Sequence, residues 1–255
     1  MRKIAFLAGG HGPLSPELKR RHQILMSAAT PGTQIDMYGG KGSMENRDGE
    51  YKLPVKERLG SIESTYDEFL AVPRIAKITI EAEQEGYNAV ITSCGNDPGL
   101  EALREAVKIP VIGPGSAGMH VCSLISHRFC RLVTHRPGRQ KLGRYSFENY
   151  NGLLKWVSCR SIGMTVPEVR DKPEKVYESC VRQGKLAIEE DGADAITWSC
   201  SSMSFTEGLD KRLMEALEVP VVNPIKAAVR MAELCIDFGL IHSKLTYPTP
   251  NSLRL

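Results

Sequence analysis

One pattern occurs twice in this chain, and it limits the available folds more than any other feature. Glu85-Gly86-Tyr87-Asn88-Ala89-Val90-Ile91-Thr92-Ser93-Cys94 can be laid on Asp191-Gly192-Ala193-Asp194-Ala195-Ile196-Thr197-Trp198-Ser199-Cys200. Each stretch reads as the end of a helix, a glycine that stops it, a short buried strand and then a cysteine. The match resumes downstream, where Glu105-Ala106-Val107-Lys108-Ile109-Pro110-Val111-Ile112 aligns with Glu215-Ala216-Leu217-Glu218-Val219-Pro220-Val221-Val222. Upstream it is looser: Ala5-Phe6-Leu7-Ala8-Gly9-Gly10-His11 lies on Arg131-Leu132-Val133-Thr134-His135-Arg136-Pro137. Two copies of one βα wiring predict an α/β protein of two pseudo-symmetric lobes. Each lobe is expected to be a short, mostly parallel sheet flanked by helices, with the active site in the cleft between them.

Short apolar runs alternate with longer amphipathic stretches along the rest of the chain. They predict strands over 3–8, 34–38, 89–93, 111–113, 129–134, 157–162, 195–199 and 221–223. Helices are expected near 16–29, 66–85, 98–107, 116–126, 137–152, 173–190, 205–217 and 225–238. The polar, glycine-rich segment from Gly39 to Gly60 has no clear period and is expected to be a surface excursion.

Composition removes several classes of function. With 255 residues, 42% of them hydrophobic, the chain can build real cores and is not a disordered segment. Thirty-three basic against 30 acidic residues leave a charge of +3, too mild to imply nucleic acid or a membrane surface as partner. No apolar run approaches the ~20 residues needed to cross a bilayer. The opening Met1-Arg2-Lys3-Ile4-Ala5-Phe6-Leu7 reads as a first strand rather than a secretion signal. Seven scattered cysteines, an odd number, suggest reduced thiols of a cytoplasmic protein. Without a Cys-x-x-Cys or His-x-x-x-His pair, no metal is expected.

Cys94 and Cys200 stand apart from the other five. Free cysteine is among the most buried residue types. Cys122, Cys180 and Cys235 on helix faces, and Cys130 and Cys159 flanking strands, read as core. Cys94 and Cys200 instead fall at matching strand ends among glycine and polar residues, at the sheet edge where parallel α/β proteins bind ligands. Asp97-Pro98 reads as a helix cap with proline at the first helical position, and Ser201, Ser202 and Ser204 as capping hydroxyls after Cys200. A thiol at a helix N-terminus feels positive potential, which favours the thiolate. Two such thiols facing one substrate could remove a proton from one side of a carbon acid and return one from the other. Backbone N–H groups of Gly95, Asn96, Ser201 and Ser202 would steady the enolate oxygen.

The other motifs point elsewhere weakly or not at all. Gly113-Pro114-Gly115-Ser116-Ala117-Gly118 satisfies Gly-x-Gly-x-x-Gly, but no acidic residue follows some 20 positions on, so a tight packing turn is expected rather than a dinucleotide site. No phosphate-binding Gly-x-x-x-x-Gly-Lys-Ser/Thr loop and no Gly-x-Ser-x-Gly elbow occurs. His11 and His135 fall in matching loops and are candidate substrate contacts. His22, His120, His127 and His242 read as helix-surface or capping residues.

At these residues the chain resembles the hydantoin racemase group of the aspartate/glutamate racemase superfamily. The resemblance is carried by Ser61-Ile62-Glu63-Ser64, Tyr66-Asp67-Glu68, Ala71-Val72-Pro73, Cys94-Gly95-Asn96-Asp97-Pro98-Gly99-Leu100, Ile109-Pro110-Val111-Ile112-Gly113, Gly239-Leu240, His242-Ser243-Lys244 and Tyr247-Pro248-Thr249-Pro250. It implies a cofactor-independent racemase with Cys94 and Cys200 as acid/bases, acting on a hydantoin-, allantoin- or amino-acid-like small molecule. It also implies a homo-oligomer, and a last helix that returns to the first lobe. Lobe 1 is then residues 1–113 with 224–255, and lobe 2 residues 114–223. Binding loops carried over from the family fall on Gly9, Gly10, His11, Gly95, Asn96, Thr134, His135, Ser201 and Ser202. Two departures bear on the substrate. The first loop reads Ala8-Gly9-Gly10-His11 where the family has Asn-Pro-Asn-Thr, and the second-cysteine stretch reads Trp198-Ser199-Cys200-Ser201-Ser202-Met203 rather than Gly-Cys-Ala-Gly-Met.

Rival readings remain open at this point. The same scaffold could serve a cis–trans isomerase or a decarboxylase of a small acid. A two-lobed small-molecule binding protein is the alternative from another class.

Overall fold

A computed structural model describes residues 1–7, 16–40, 61–134 and 155–253. The chain divides into two compact units. The first comprises residues 1–93, 97–114 and 228–255; the second comprises 94–96 and 115–227.

In the first unit, β1 (Arg2–Leu7), β2 (Thr33–Tyr38), β3 (Ala89–Ile91) and β4 (Val111–Ile112) form a parallel sheet in the order β2-β1-β3-β4. β1 lies inside the sheet, and Ile4, Ala5, Phe6 and Leu7 are all buried, as an apolar strand with neighbours on both sides requires. Helices α1 (Pro16–Ala28), α2 (Thr65–Gln84) and α3 (Leu100–Ala106) connect the strands. The start of α2 is a capping box: Ser64 Oγ accepts from Asp67 N (3.1 Å) and Asp67 Oδ2 accepts from Ser64 N (2.7 Å).

The second unit holds β5 (Phe129–Val133), β6 (Trp156–Ser161) and β7 (Ala195–Trp198), again all parallel, in the order β6-β5-β7. With it go α4 (Pro114–Ile125), α5 (Val166–Asp171), α6 (Pro173–Asp191), α7 (Ser201–Ser204), α8 (Leu209–Leu217) and the start of α9 (Pro224–Asp237). Its core gathers Cys130, Leu132, Val176, Cys180, Ile196, Trp198, Leu213 and their neighbours. In each sheet the strand that leads to the cysteine, β3 to Cys94 and β7 to Cys200, pairs with the opening strand of its sheet's unit, β1 and β5 respectively. The glycine stops seen in the sequence are real: Gly86 after α2 and Gly192 after α6 both have positive φ (77° and 66°).

Several elements differ from expectation. The strand expected over 221–223 is a single bridge between Val221 and Ile196, because Asn223 turns away at once to cap α9, accepting from Ile225 N (3.1 Å) and Lys226 N (3.3 Å). The helix expected over 205–217 begins only at Leu209, after Gly208 (φ 65°), and the single turn α7 precedes the expected span. Helix α5 was not expected, although Thr165 and Glu168 form a full capping box with Pro167 beside it. The helix expected over 137–152 and most of the segment 39–60 lie outside the described residues.

The part of α9 from Ala228 onward belongs to the first unit, and its polar contacts explain how it is held there. Glu233 Oε1 accepts from Thr30 N (2.7 Å), Thr30 Oγ1 (2.8 Å) and Thr33 Oγ1 (2.6 Å). Arg2 forks onto both oxygens of Asp237 (2.6 and 2.8 Å). Beyond the helix, Lys244 Nζ donates to the carbonyls of Arg104, Glu105 and Val107, which are the open acceptors at the end of α3. His242 is neither a surface nor a capping residue. It is half-buried against β4, where its Nε2 accepts from Val111 N (2.9 Å).

Candidate active site

Cys94 lies just past the C-terminal end of β3, and Cys200 just past that of β7. None of the seven cysteines is in a disulfide. Cys122, Cys130 and Cys180 are fully buried, and burial pushes each thiol up to about 12, so they are inert core groups. Cys94 and Cys200 are half-buried. So are Cys159 and Cys235, which had been expected in the core; Cys159 lies on β6, all of whose residues are only half-buried, and burial raises the Cys235 thiol.

The turn that carries Cys94 is built differently from the sequence reading. Asp97 does not cap a helix. It takes a left-handed conformation (φ 55°), Gly99 does the same (φ 68°), and α3 begins only at Leu100 with no side-chain cap. Two left-handed residues in three bend the chain away from the strand, a conformation that Asp tolerates and Gly favours. The first residue of α3 thus comes six positions after Cys94 in the chain, not at the Asp97-Pro98 pair. Cys200 is the N-cap residue of α7, but that helix is a single turn of four residues. The helix N-terminus expected beside both sulfurs is present, in this reduced form, at one.

What the structure adds is a contact between the two cysteine segments inside the second unit. Gly95 is buried, and its Cα is pressed against the backbone carbonyl of Ser199; a β-carbon there would overlap the Ser199 oxygen and lie 2.7 Å from its carbonyl carbon. The residue after Cys94 thus touches the residue before Cys200. That ideal β-carbon position lies 3.3 Å from Ser199 Cα. With consecutive Cα atoms about 3.8 Å apart, the two cysteine Cα atoms lie within about 12 Å of each other.

Three glycines around this contact justify the packing reading of the Gly-x-Gly-x-x-Gly motif. Gly113 lies against the Asp97 carboxylate, Gly115 against the Gly95 carbonyl oxygen, and Gly118 against Pro224 and Thr197. At each, a β-carbon would sit closer than 3.0 Å to its neighbour. On the Cys200 side, the Trp198 indole N–H donates to Ser204 Oγ (2.8 Å), and Asn223 Nδ2 donates to the Ser204 carbonyl (3.1 Å). Both bonds are buried and fix the turn that follows Cys200. Sequence reasoning missed this bracket, although Asn-Pro before an apolar helical pattern is a recognisable cap signal.

Among the expected binding residues, Gly95 and Asn96 form the turn after Cys94, and Thr134 is buried immediately after β5. Ser201 and Ser202 open α7, and Ser201 Oγ is buried without a hydrogen-bond partner. Gly9, Gly10, His11 and His135 lie outside the described residues. Among the described residues, no cluster of three or more His, Cys, Asp or Glu side chains could hold a metal ion, and no helix is long and apolar enough to cross a membrane.

The pattern of a family described as Asp/Glu/Hydantoin racemase matches residues 59–232, well over half of the chain and both cysteine segments. The chain belongs to that family. It is similar to a hydantoin racemase of Pseudomonas sp. (strain NS671), 35% identical over 202 residues that cover 78% of this chain and 79% of that one. A hydantoin racemase of Rhizobium meliloti is 34% identical over 191 residues, covering 74% and 78%. Among solved structures, an allantoin racemase from Pseudomonas fluorescens superposes with a TM-score of 0.79 at 27% identity, over 98% of this chain and 97% of that one. Membership makes the chain an isomerase of the racemase type, and its two parallel sheets flanked by helices are those of its structural neighbours.

Proposed function

We propose that this chain is a cofactor-independent racemase in which Cys94 and Cys200 transfer the proton at a carbon next to a carbonyl. The observation that carries this reading is the Gly95–Ser199 contact. It brings together, inside the second unit, the two segments that each carry a half-buried cysteine outside any disulfide. One cysteine, as thiolate, takes the proton from carbon and becomes a thiol; the electron pair left behind is delocalised onto the carbonyl oxygen as an enolate. The other cysteine, as thiol, gives its proton to the opposite face of the planar carbon and becomes the thiolate. The roles swap for the other enantiomer, so no group is consumed. Positioned acid–base groups of this kind contribute about 10²- to 10⁴-fold. The backbone N–H groups of Gly95, Asn96, Ser201 and Ser202 are our candidates for steadying the enolate oxygen. Thr134, the Ser201 hydroxyl and the loops containing Gly9, Gly10, His11 and His135 would recognise the rest of the substrate.

The substrate class we favour is the five-membered cyclic ureide, as in the hydantoin and allantoin named for the relatives. Its reacting carbon carries a hydrogen beside a ring carbonyl. A small molecule is the partner this reading requires, and a symmetric homo-oligomer the assembly it favours.

The test is solvent isotope exchange. In D₂O, a single enantiomer of a 5-substituted hydantoin or of allantoin should take up deuterium at the stereocentre as its optical activity decays. Cys94→Ala and Cys200→Ala should each abolish racemisation, with each variant exchanging deuterium into one enantiomer only. Full racemisation by either variant would remove the two-base mechanism.

A further inference from the structure

Arg131 is an anomaly that the proposed reaction does not use. It sits in the middle of β5, the central strand of its sheet, with a residue exposure of 6%. Its strand neighbours Phe129, Cys130, Leu132 and Val133 are all apolar and buried. Among the described residues no carboxylate pairs with it. Its Nε is buried with no hydrogen-bond partner among the described residues, and its guanidinium carbon stands 6.0 Å from the centre of the Trp156 ring. Burying a guanidinium is costly unless its N–H groups are satisfied, so the acceptor it finds matters. Among the described residues, it donates a hydrogen bond from Nη2 to the carbonyl oxygen of Gly95.

That oxygen is the hub of the contact described above. Gly95 Cα abuts the Ser199 carbonyl, and Gly115 at the start of α4 closes on the same oxygen, with an ideal β-carbon at Gly115 lying 3.0 Å from Arg131 Nη2. Three elements thus meet at one peptide: β5 through Arg131, α4 through Gly115 and the end of β7 through Ser199. Charge-assisted hydrogen bonds to carbonyls are the stronger kind and are directional.

From this we infer that Arg131 is a positioning residue: its guanidinium holds the Gly95 carbonyl and thereby sets the spacing of Cys94 from Cys200. The inference rests on the paired-cysteine reading and adds a residue that touches neither sulfur. Its chemistry is one of placement, so removing it should lower turnover in both directions, displacing Cys94 together with the Asn96 N–H that shares the held peptide.

The experiment uses the full-length protein, with 5-methylhydantoin or allantoin enantiomers for kinetics. Bridging of Cys94 to Cys200 by dibromobimane, a short reagent that alkylates two thiols, is followed by peptide mass mapping. Arg131→Met removes the donor at similar size, and Gly115→Ala pushes on the same oxygen from α4. Both should cut kcat by about 10- to 100-fold for each enantiomer, the cost of a displacement near 1 Å, with KM changed by less than a few-fold. Both should also slow the Cys94–Cys200 bridge. Arg131→Lys, which keeps a cationic donor, should recover part of kcat and of the bridging rate. Rescue by lysine, together with a bridging defect in variants that melt cooperatively, separates positioning from a loss of folding. If the wild type bridges and both variants bridge and turn over as it does, the inference is overturned alone. If the wild type forms no bridge, the paired-thiol reading fails, and Arg131 has nothing to position.

Discussion

Gly95→Ala is the smallest change that should disable this protein without touching either sulfur. The added methyl would lie 2.7 Å from the Ser199 carbonyl carbon and overlap its oxygen, whereas ordinary contacts fall between 3.4 and 4 Å. Both neighbours are backbone, so no side chain can swing aside, and the two segments must separate by roughly 1 Å. Overpacking of this kind costs about 1–3 kcal/mol of stability. For a chain of this size that is a melting point lowered by about 3–10 °C. The catalytic effect should be larger, because a displacement of about 1 Å between reacting groups costs on the order of 10²-fold in rate. Racemisation is followed by circular dichroism from each enantiomer, and stability by thermal melting of the same preparation. Gly163→Ala is the control. Gly163, unlike Gly95, has a positive φ (72°) and meets nothing within 4 Å of an added β-carbon, so that variant carries about 1–2 kcal/mol of backbone strain and keeps wild-type kcat. A Gly95→Ala protein with undiminished kcat and an unchanged melting point would refute the claim that Gly95 and Ser199 are in contact.

Two further predictions concern the segment that closes the first unit. Burial, and then the charges of Arg104 and Lys244, hold the His242 imidazole down at about 4, against a backbone contact with Val111 that works the other way. The unfolded chain takes up that proton near its ordinary 6.5. Stability from the neutral ring is thus complete above pH 6.5 and lost as pH falls towards 4. Since the ring is only about half-buried, we discount the full linkage value to about 1–2 kcal/mol. Urea denaturation at pH 7 and pH 4.5 should therefore show a larger acid loss for wild type than for His242→Gln, and equal losses would refute it. For Glu233, burial alone would raise the carboxyl, but the hydrogen bonds from Thr33 and Thr30 outweigh it and hold it below the usual carboxylate range. Glu233→Ala removes the acceptor of Thr30 N, Thr30 Oγ1, Thr33 Oγ1 and Nη1 of the exposed Arg230, and should cost about 3 kcal/mol, seen as a melting point lower by about 6–12 °C. A change under 1 °C would mean that the Glu233 hydrogen bonds contribute nothing to holding α9, leaving its apolar contacts and the Arg2–Asp237 pair.

How much of this was legible beforehand divides along a physical line. The repeat was readable because helix stops, buried strands and the cysteines after them are written locally. Gly86 and Gly192 carry the positive φ that a helix-ending glycine implies, and both strands form where their apolar runs lie. Local reading also produced the errors. Asp97-Pro98 has the residues of a helix start, but the helix waits for Leu100, because the turn must bring Gly95 against Ser199 and the Asp97 carboxylate against Gly113. Tertiary contact overrode propensity there. Val221 to Asn223 has the composition of a strand, yet Asn223 is more useful as a cap that also grips the Ser204 carbonyl, so pairing stops after one bridge.

Arg131 is the instructive case between these extremes. A charged residue inside Phe129-Cys130-Arg131-Leu132-Val133 breaks the apolar run of a central strand, and that violation was visible without coordinates. Its purpose was not, because the partner is a backbone carbonyl from a distant turn, and backbone carbonyls leave no mark in a sequence. The same holds for Gly115: the Gly-x-Gly-x-x-Gly spacing announces that something approaches the helix start closely, and only the fold shows that it is the peptide after Cys94. A strand residue that breaks the local pattern and a glycine that clears space for it are two sequence-visible halves of one device. Where both occur beside a candidate catalytic turn, the search for positioning residues should begin with them rather than with the nearest titratable side chains.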